Sequence, residues 1–497
     1  MSETDQQPER AAIREYMVID GKPCTEGVGR LPVFNPATGE VIAQQIEAGP
    51  GQVDLAVQAA RRAFESAAWR ATLPAARERL LLALADRIEA EGEALARLET
   101  LNNGKLLALS QMLEVGASAQ WLRYMAGWAT KITGDTLQLS IPFPPGVGYQ
   151  GYTRPEPVGV VAAIIPWNFP LLMAVWKIAP AIAAGCTIVL KPAEETPLTA
   201  LRLAELALEV GFPPGVINVI TGRGEVTGDA LIKHPGVNKI AFTGSTEVGK
   251  LIGHAAIDDM KRVSLELGGK SPVVIMDDCP IDLAIQGAAG AIFFNQGQVC
   301  TAGSRVFIQD GIYDRVVEGL AVAADSLKMG SGFDADTQIG PMVSARHRDR
   351  VASYIAAGQA SGAQRLTQAR PWQGGGYFIP PTVFADASPD ASIVREEIFG
   401  PVVVAARFKD EDEAVRLAND TRFGLGASIW SNDLGRVQRL VPRIQAGTVW
   451  VNTHNMLDPS MPFGGYKQSG MGREHGRAVI DNYIETKSVC IAYQASA

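Results

Sequence analysis

At 497 residues, with 47% hydrophobic and 20% charged side chains, the chain has an ordinary globular composition and material for two or three domains with sizeable cores. Forty-five basic against 53 acidic residues leave a net charge of -8 without any Lys/Arg-rich stripe, which argues against nucleic acid as a partner. The five cysteines, Cys24, Cys186, Cys279, Cys300 and Cys490, are odd in number and scattered, with no C-x-x-C pair, so neither a disulfide framework nor a zinc site is expected, and a reducing compartment is.

The first ten residues, MSETDQQPER, are polar and lack the basic-then-apolar order of a secretion signal, which makes the cytoplasm the expected location. Residues 12–47 alternate short apolar runs with Gly and Pro, as in VFNPATG, and predict strands joined by turns. From Val53 to Lys131 the period becomes helical: RERLLLALADRIEAEGEALARLETL sets apolar residues three and four apart between charges, the pattern of scaffold helices. Residues 136–154 predict two strands around Pro144-Pro145-Gly146, a β-hairpin with a longer loop.

Residues 157–176, PVGVVAAIIPWNFPLLMAVW, are long and apolar enough to raise the question of a membrane span. Pro166 and Pro170 would break such a helix at mid-depth, whereas the β-branched run from Val158 to Ile165 suits a strand buried on both faces, so no span is expected. From 157 to about 270, strands and helices alternate at βαβ spacing: GVVAAII, a helix from about Leu171, CTIVLK, a helix after Thr196, GVINVI, NKIAFTG, and a helix from about Thr246. That order predicts an α/β fold with a doubly wound parallel sheet, whose ligands bind at the carboxyl ends of the strands. Three segments fall at such ends: Pro166-Trp167-Asn168, Lys191-Pro192-Ala193-Glu194 and Gly244-Ser245.

The loop Gly244-Ser-Thr-Glu-Val-Gly249-Lys250 nearly spells a P-loop but has Leu251 where the magnesium-binding hydroxyl should stand, which excludes a nucleoside triphosphatase of that kind. It does not match G-x-G-x-x-G either; its two glycines either open a helix whose N–H groups hold a pyrophosphate or serve a tight strand-to-helix turn. Lys191 and Glu194 read either as a solvated charge pair or as hydrogen-bonding groups for ribose hydroxyls.

In VSLELGGKSP a carboxylate, Glu266, stands between Leu265 and Leu267, surroundings that raise its pKa toward the range of a general base. In FFNQGQVCTAGSR, Cys300 follows a loop-like NQGQ, where a partly exposed thiol with a lowered pKa would be nucleophilic; a cysteine that merely packs is the alternative. Asn168 and the Cys300 N–H can both donate to a developing oxyanion. The scattered histidines contain no H-E-x-x-H, so no metal is expected.

PWNFP, KPAEETP, FTGSTEVGK, LELGGKSP, FFNQGQVCTAGSR, EEIFGPV and PFGGYKQSGMGREHG occur in this order over most of the chain, which thereby resembles the NAD(P)-dependent aldehyde dehydrogenases. The resemblance implies Cys300 as nucleophile, Glu266 as general base and Asn168 as half of an oxyanion hole, with Lys177 and Glu474 linked to proton transfer. It implies NAD as cofactor: Lys191 and Glu194 on the adenosine ribose, Ser245 on the pyrophosphate, Glu397 and Phe399 on the nicotinamide end, and Ile164, Pro166, Trp167, Gly244 and Gly268 completing the cleft. NAD is expected over NADP because the Glu194 carboxylate would repel a 2'-phosphate.

The implied fold has two doubly wound parallel-sheet domains and a small β oligomerisation unit: an NAD-binding domain of 1–135 and 155–266, a catalytic domain of 267–476, and a hairpin and tail of 136–154 and 477–497. The resemblance implies a homo-oligomer, tetramer rather than dimer, in which hairpin and tail pair with a neighbouring subunit; left unpaired they would expose apolar strand edges, which soluble monomers avoid. A cysteine hydrolase would favour a His base, and a silent scaffold relative would have no need of Cys300, Glu266 and Asn168. If a helix starts near Pro170, then Phe169, Met173 and Trp176 share one face, and the resemblance places them with Phe294, Leu457 and Phe463 around a tunnel to the cysteine. Such a lining predicts an aromatic or arylalkyl aldehyde, phenylacetaldehyde foremost; betaine aldehyde would want acidic help, for which Asp458 is the nearby residue.

Overall fold

The computed structural model describes residues 13–368 and 370–494; the N-terminal decapeptide and the last three residues of the tail lie outside the described residues. In space the first sheet runs Gly470–Met471, Arg262–Glu266, Lys239–Thr243, Val160–Ile164, Thr187–Lys191, Ile217–Val219, Met17–Ile19 and Lys22–Cys24. Its five central strands from Arg262–Glu266 to Ile217–Val219 are parallel, and both margins are antiparallel. The second sheet runs Gln364–Arg365, Thr382–Ala385, Val402–Phe408, Arg305–Gln309, Pro272–Ile275, Gly426–Trp430 and Thr448–Val451, parallel except for the first. Helices cover these sheets, which is why Thr187–Lys191 and Pro272–Ile275 are buried along their whole length.

The apolar stretch that raised the question of a span divides as its prolines predict. The strand ends at Ile164, and a helix begins at Pro170, where the missing N–H is harmless, and ends at Gly185 with φ 96°. That helix, Pro170–Ala184, is buried along its entire length, so its apolarity is that of a core helix. Among the described residues no helix is long and apolar enough to cross a membrane.

Two predicted boundaries move. The hairpin's second strand is Val147–Pro157 rather than ending at 154, because it pairs with Ile484–Gln494 from Val147 to Pro157. Its other neighbour, Thr136–Leu137, reaches only Tyr152 and Gly151, so Pro155 and Pro157 sit where one side of the strand needs no ladder partner. Gly470–Met471, predicted to lie in the second domain, closes the first sheet instead; a Cβ on Gly470 would stand 2.2 Å from the Leu265 carbonyl oxygen, so only glycine permits that approach. The helical stretch after Leu107 also contains an unpredicted π-helical turn, Ser110–Gly116, of the kind that concentrates at functional sites.

The helix Ile281–Phe293 packs Gly287 directly against Trp430, whose ring lies 2.4 Å from where a Cβ would be. Gly287→Ala is therefore expected to lower the thermal unfolding midpoint, by the about 1–3 kcal/mol typical of overpacking, as read by scanning calorimetry.

Candidate active site

The site forms where the chain crosses from one sheet to the other. Strand Arg262–Glu266 ends on Glu266, and the next strand of the second sheet starts at Pro272. Between them Gly268 and Gly269 are squeezed on both sides: added Cβ atoms would stand 2.2 Å from Glu397 Oε2 and 2.2 Å from the Cys300 carbonyl oxygen. The Gly269 N–H donates to Glu397 Oε1 at 2.9 Å. Three separated motifs thus meet because two glycines leave them room.

Cys300 ends a strained approach. After Phe294 the backbone passes through three successive left-handed residues, Asn295 (φ 47°), Gln296 (φ 58°) and Gly297 (φ 70°), and a Cβ at 297 would stand 2.2 Å from the Gly400 carbonyl oxygen. Non-glycine residues in this region mark sites where the surroundings over-determine the backbone. Here the Asn168 amide donates to the Gln298 carbonyl at 3.0 Å, and Asn295 Nδ2 donates to the Asn168 and Gln298 carbonyls, both at 3.3 Å. Asn168 is therefore tied to the loop two residues before Cys300, with one amide hydrogen left to donate.

Burial dominates the electrostatics. Cys300 is partly exposed to the cavity, yet desolvation, then the charges of Glu266 and Glu397, push its thiol well above the ordinary value. The lowered pKa expected from the sequence is not present, since the backbone N–H groups of Cys300 and Thr301 offset the desolvation only in part. Glu266 is 2% exposed, neither carboxyl oxygen has a hydrogen-bond partner, and desolvation raises its pKa far above the carboxylate range. Lys177 opposes that rise, but its Nζ is engaged with Glu474 Oε1 at 2.5 Å in a buried pair. Glu397, also desolvated, is pushed up to about 7.

A second buried ion pair lies beneath Asn168 and was not legible in the sequence, where Lys105 stands in a polar NNGK. Lys105 is fully buried, pairs with Glu114 of the π-helical turn, donates to the Asn168 carbonyl at 2.8 Å and lies 4.4 Å from the centre of the Phe169 ring. Glu114 Oε2 accepts the Leu172 N–H at 2.9 Å, so this pair fixes both ends of the turn that presents Asn168 and Phe169. Nearby Glu99 is pushed up to about 8 by burial and by the Glu114 charge.

A cavity of about 1020 Å³ reaches Cys300, and all six predicted substrate-facing residues line it: Phe169, Met173, Trp176, Phe294, Leu457 and Phe463. Phe169 stacks on Phe294 at 6.4 Å between ring centres, and Trp176 meets Phe463 edge-on at 5.8 Å. Behind Trp176, at 4.0 Å, stands buried His475, whose ring burial holds near a pKa of about 3 and therefore neutral. None of the described lining residues is Asp, Glu, Lys or Arg. Asp458 lines no part of the cavity and accepts the Ser460 N–H at 2.8 Å.

The other predicted residues gather at the strand ends of the first sheet. Lys191, 2% exposed, has its Nζ 3.7 Å from the Glu194 carboxylate, which excludes a solvated pair. Ile164 and Lys191 lie beside Gly228, where an added Cβ would stand 3.8 Å from the Lys191 side chain and 3.9 Å from that of Ile164. Gly244 makes the strand-to-helix turn, where a Cβ would stand 2.6 Å from the Phe242 ring, and Ser245 caps helix Thr246–Asp258 by accepting the Val248 N–H. Gly249 does not open the helix: it lies inside, where a Cβ would strike Leu267 at 2.4 Å, and serves helix–strand packing. Trp167 meets Phe399 edge-on at 5.2 Å, and His347, unforeseen, packs on Trp167 at 4.9 Å while its Nε2 lies 2.7 Å from the Phe399 carbonyl oxygen. Pro166 connects this cleft to Asn168. Free N–H groups at a helix start, a buried lysine and a half-buried carboxylate fit a dinucleotide. Among the described residues no cluster of three or more His, Cys, Asp or Glu could hold a metal ion.

Residues 24–489 match the aldehyde dehydrogenase family. The chain is 58% identical to a phenylacetaldehyde dehydrogenase of Pseudomonas fluorescens over 93% of each protein. It superposes on an NAD+ complex of an aldehyde dehydrogenase from Bacillus cereus with a TM-score of 0.94, 44% identity and 99% of both chains covered. A betaine aldehyde dehydrogenase from Staphylococcus aureus, in complex with NAD+, matches with a TM-score of 0.94 and 40% identity over 99% of this chain and 97% of that one.

Removing one partner of a buried pair costs about 3–5 kcal/mol, whereas replacing both by apolar groups is close to neutral. Lys105→Met is accordingly expected to lower the unfolding midpoint and activity together, and Lys105→Met combined with Glu114→Leu to recover only part of the stability, because the Leu172 N–H that Glu114 accepts is left unpaired, measured by calorimetry on both variants.

Proposed function

This chain belongs to the aldehyde dehydrogenase family and is an NAD-dependent aldehyde dehydrogenase, and we propose that its preferred substrates are arylalkyl aldehydes, with phenylacetaldehyde foremost. The observation that carries this choice is the uncharged, ring-lined cavity at Cys300. Phe169, Phe294, Trp176 and Phe463 offer faces and edges to a phenyl ring, and a small aldehyde would leave most of the space unfilled. A quaternary ammonium would find no carboxylate in the described lining, since Asp458 lies outside it. The 58% identity to a phenylacetaldehyde dehydrogenase points the same way.

In the proposed chemistry the Cys300 thiolate adds to the aldehyde carbonyl, while the Asn168 amide and the Cys300 N–H stabilise the oxyanion. NAD bound in the cleft would supply the acceptor for the hydride that leaves this adduct, so that the sulfur-bound carbon ends as a thioester. Glu266 then takes a proton from water as it attacks the thioester, releasing the acid and the thiol. Its desolvated carboxyl suits that task once water enters and gives the charged form a hydrogen-bond partner. The Lys177–Glu474 pair stands next to pass protons onward.

Lys191 and Glu194 would hold the adenosine ribose, Ser245 and the helix start the pyrophosphate, and Glu397 and Phe399 the nicotinamide end, with Ile164, Pro166, Trp167, Gly244 and Gly268 shaping the cleft. Glu194 gives the preference for NAD over NADP. The division into 1–135 with 155–266, 267–476, and 136–154 with 477–497 is kept as a functional proposal, apart from the two strand boundaries that move. We also place the chain in the cytoplasm as a homotetramer. Phe143, 73% exposed, and Tyr493, 53% exposed, lie in the three-stranded unit of hairpin and tail, whose Ile484–Gln494 strand forms one edge. An apolar edge of that kind needs covering.

Two variants, a pH profile and an aldehyde panel test this reading. Cys300→Ala is expected to lose oxidation while still binding NAD, and Glu266→Gln to form thioester but release acid more slowly by about a hundredfold or more, the factor a positioned base supplies. Both groups have raised pKa values and act deprotonated, so wild-type kcat/KM should rise with pH and still be climbing above the ordinary thiol range; turnover by Cys300→Ala, or a falling profile, would remove the assignment. A panel of aldehydes followed by reduced-cofactor absorbance, with NAD and NADP in parallel, should rank phenylacetaldehyde above acetaldehyde and betaine aldehyde, and NAD above NADP. A higher kcat/KM for either competitor would overturn the arylalkyl preference.

A further inference from the structure

The cavity is larger than the proposed substrate requires. At about 1020 Å³ it lies at the top of the roughly 300–1,000 Å³ range of pockets that enclose drug-sized ligands, and a single phenyl ring fills a small part of it. Phe169 and Phe294 form a neck beside Cys300, and beyond them the cavity continues along helix Ile281–Phe293 to Leu283. From Leu283 to Phe294 that wall is about 16 Å long at 1.5 Å per residue.

One residue of the wall has no structural reason for its identity. Gly290 stands one turn back from Phe294 on the same face, inside the helix, where glycine is unfavourable relative to alanine. A Cβ built on it meets nothing within 4 Å, so no neighbour requires its smallness, and its φ is not among the left-handed ones. Gly287, three residues earlier, shows the contrast: there Trp430 fills the place of the Cβ. Gly290 is exposed and lines the cavity, so what it leaves free is space at the cavity's solvent-open side. On the facing side Gly116, in the π-helical turn, likewise presents backbone to the cavity, with only the Gln111 carbonyl oxygen near its Cβ position, at 3.4 Å. Leu283, 37% exposed, and Met112, 59% exposed, make the outer end apolar.

Building on the arylalkyl-aldehyde reading, we propose that the space left by Gly290 is a second, outer subsite for the distal apolar body of longer aldehydes, such as a second aromatic ring, and that Gly290 sets the size limit. The reaction is unchanged: the aldehyde end reaches Cys300 through the neck while the distal ring lies over Gly290. Enlarging residue 290 should therefore act on the long substrate selectively.

The test compares biphenyl-4-ylacetaldehyde with phenylacetaldehyde in wild type, Gly290→Ala and Gly290→Phe. Wild type is expected to turn over both, and the ratio of their kcat/KM values, long over short, to fall stepwise, by at least about tenfold in Gly290→Phe, the scale of steric discrimination in an apolar pocket. The midpoint of Gly290→Ala should equal or exceed that of wild type, because a helical Gly→Ala with free space restricts the unfolded chain; a lower midpoint would contradict the open position. An unchanged ratio in folded Gly290→Phe, or no wild-type turnover of the long aldehyde while phenylacetaldehyde is oxidised, overturns the outer subsite alone. Poor turnover of both aryl substrates beside good turnover of acetaldehyde would overturn the arylalkyl reading and the subsite with it.

Discussion

The desolvation of Glu266 is the constraint around which the site is arranged. A carboxyl group with neither oxygen hydrogen-bonded, at 2% exposure, is pushed toward its neutral form by its surroundings. It sits there because strand Arg262–Glu266 ends at the crossing between two sheets, and because Gly268 and Gly269 let that crossing pass against Glu397 and Cys300. Burial acts on the thiol in the same direction, and the negative groups Glu266 and Glu397 each disfavour its ionisation. Two acids that oppose each other's charge favour at most one ionised group at a time, which suits a cycle that uses the thiolate first and the carboxylate later.

Around this poorly solvated centre, two of the buried lysines are held in ion pairs. Lys177 with Glu474 and Lys105 with Glu114 bury both partners of each pair. Isolated, any of these ions would be costly; paired, they hold geometry rather than add much net stability. Glu474 and Phe463 exchange two backbone hydrogen bonds of 2.7 Å, and Lys105 reaches the Asn168 carbonyl. Each pair therefore couples a residue of the chemistry to a ring of the cavity wall, Phe463 in one case and Phe169 in the other.

How much of this was legible depended on whether the signal was local. The strand ends at Ile164, Lys191 and Thr243, and the helix from Pro170, follow from short-range patterns of β-branched runs, proline and glycine, and they lie where those patterns place them. The common cavity of Phe169, Met173 and Trp176 with Phe294, Leu457 and Phe463 came from resemblance, since spacing alone leaves a packed core face equally open. Lys105, Glu114 and His347 carried no readable signal, because a polar side chain in a polar stretch looks solvated until tertiary contacts bury it. Cys300 failed in the other direction: its loop looked exposed and activating, whereas its thiol energetics depend on Glu266 and Glu397, which are distant in sequence. The boundary errors at Pro155 to Pro157 and at Gly470 share that cause, as each is set by a partner strand elsewhere in the chain.

The cavity itself is graded from its base outward. At the base, position is fixed by left-handed backbone at Asn295, Gln296 and Gly297 and by amide bonds to Asn168, so little can change without moving Cys300. At the neck, the stacked Phe169 and Phe294 are held from behind, Phe169 by Lys105, and give shape without charge. At Gly290 the wall is helix surface with open space over it, where a side chain can be enlarged without meeting a neighbour. Constraint thus falls with distance from the thiol, and chemical role and size selection rest on different residues: the former on groups locked by burial, the latter on positions whose only contact is with what the cavity admits.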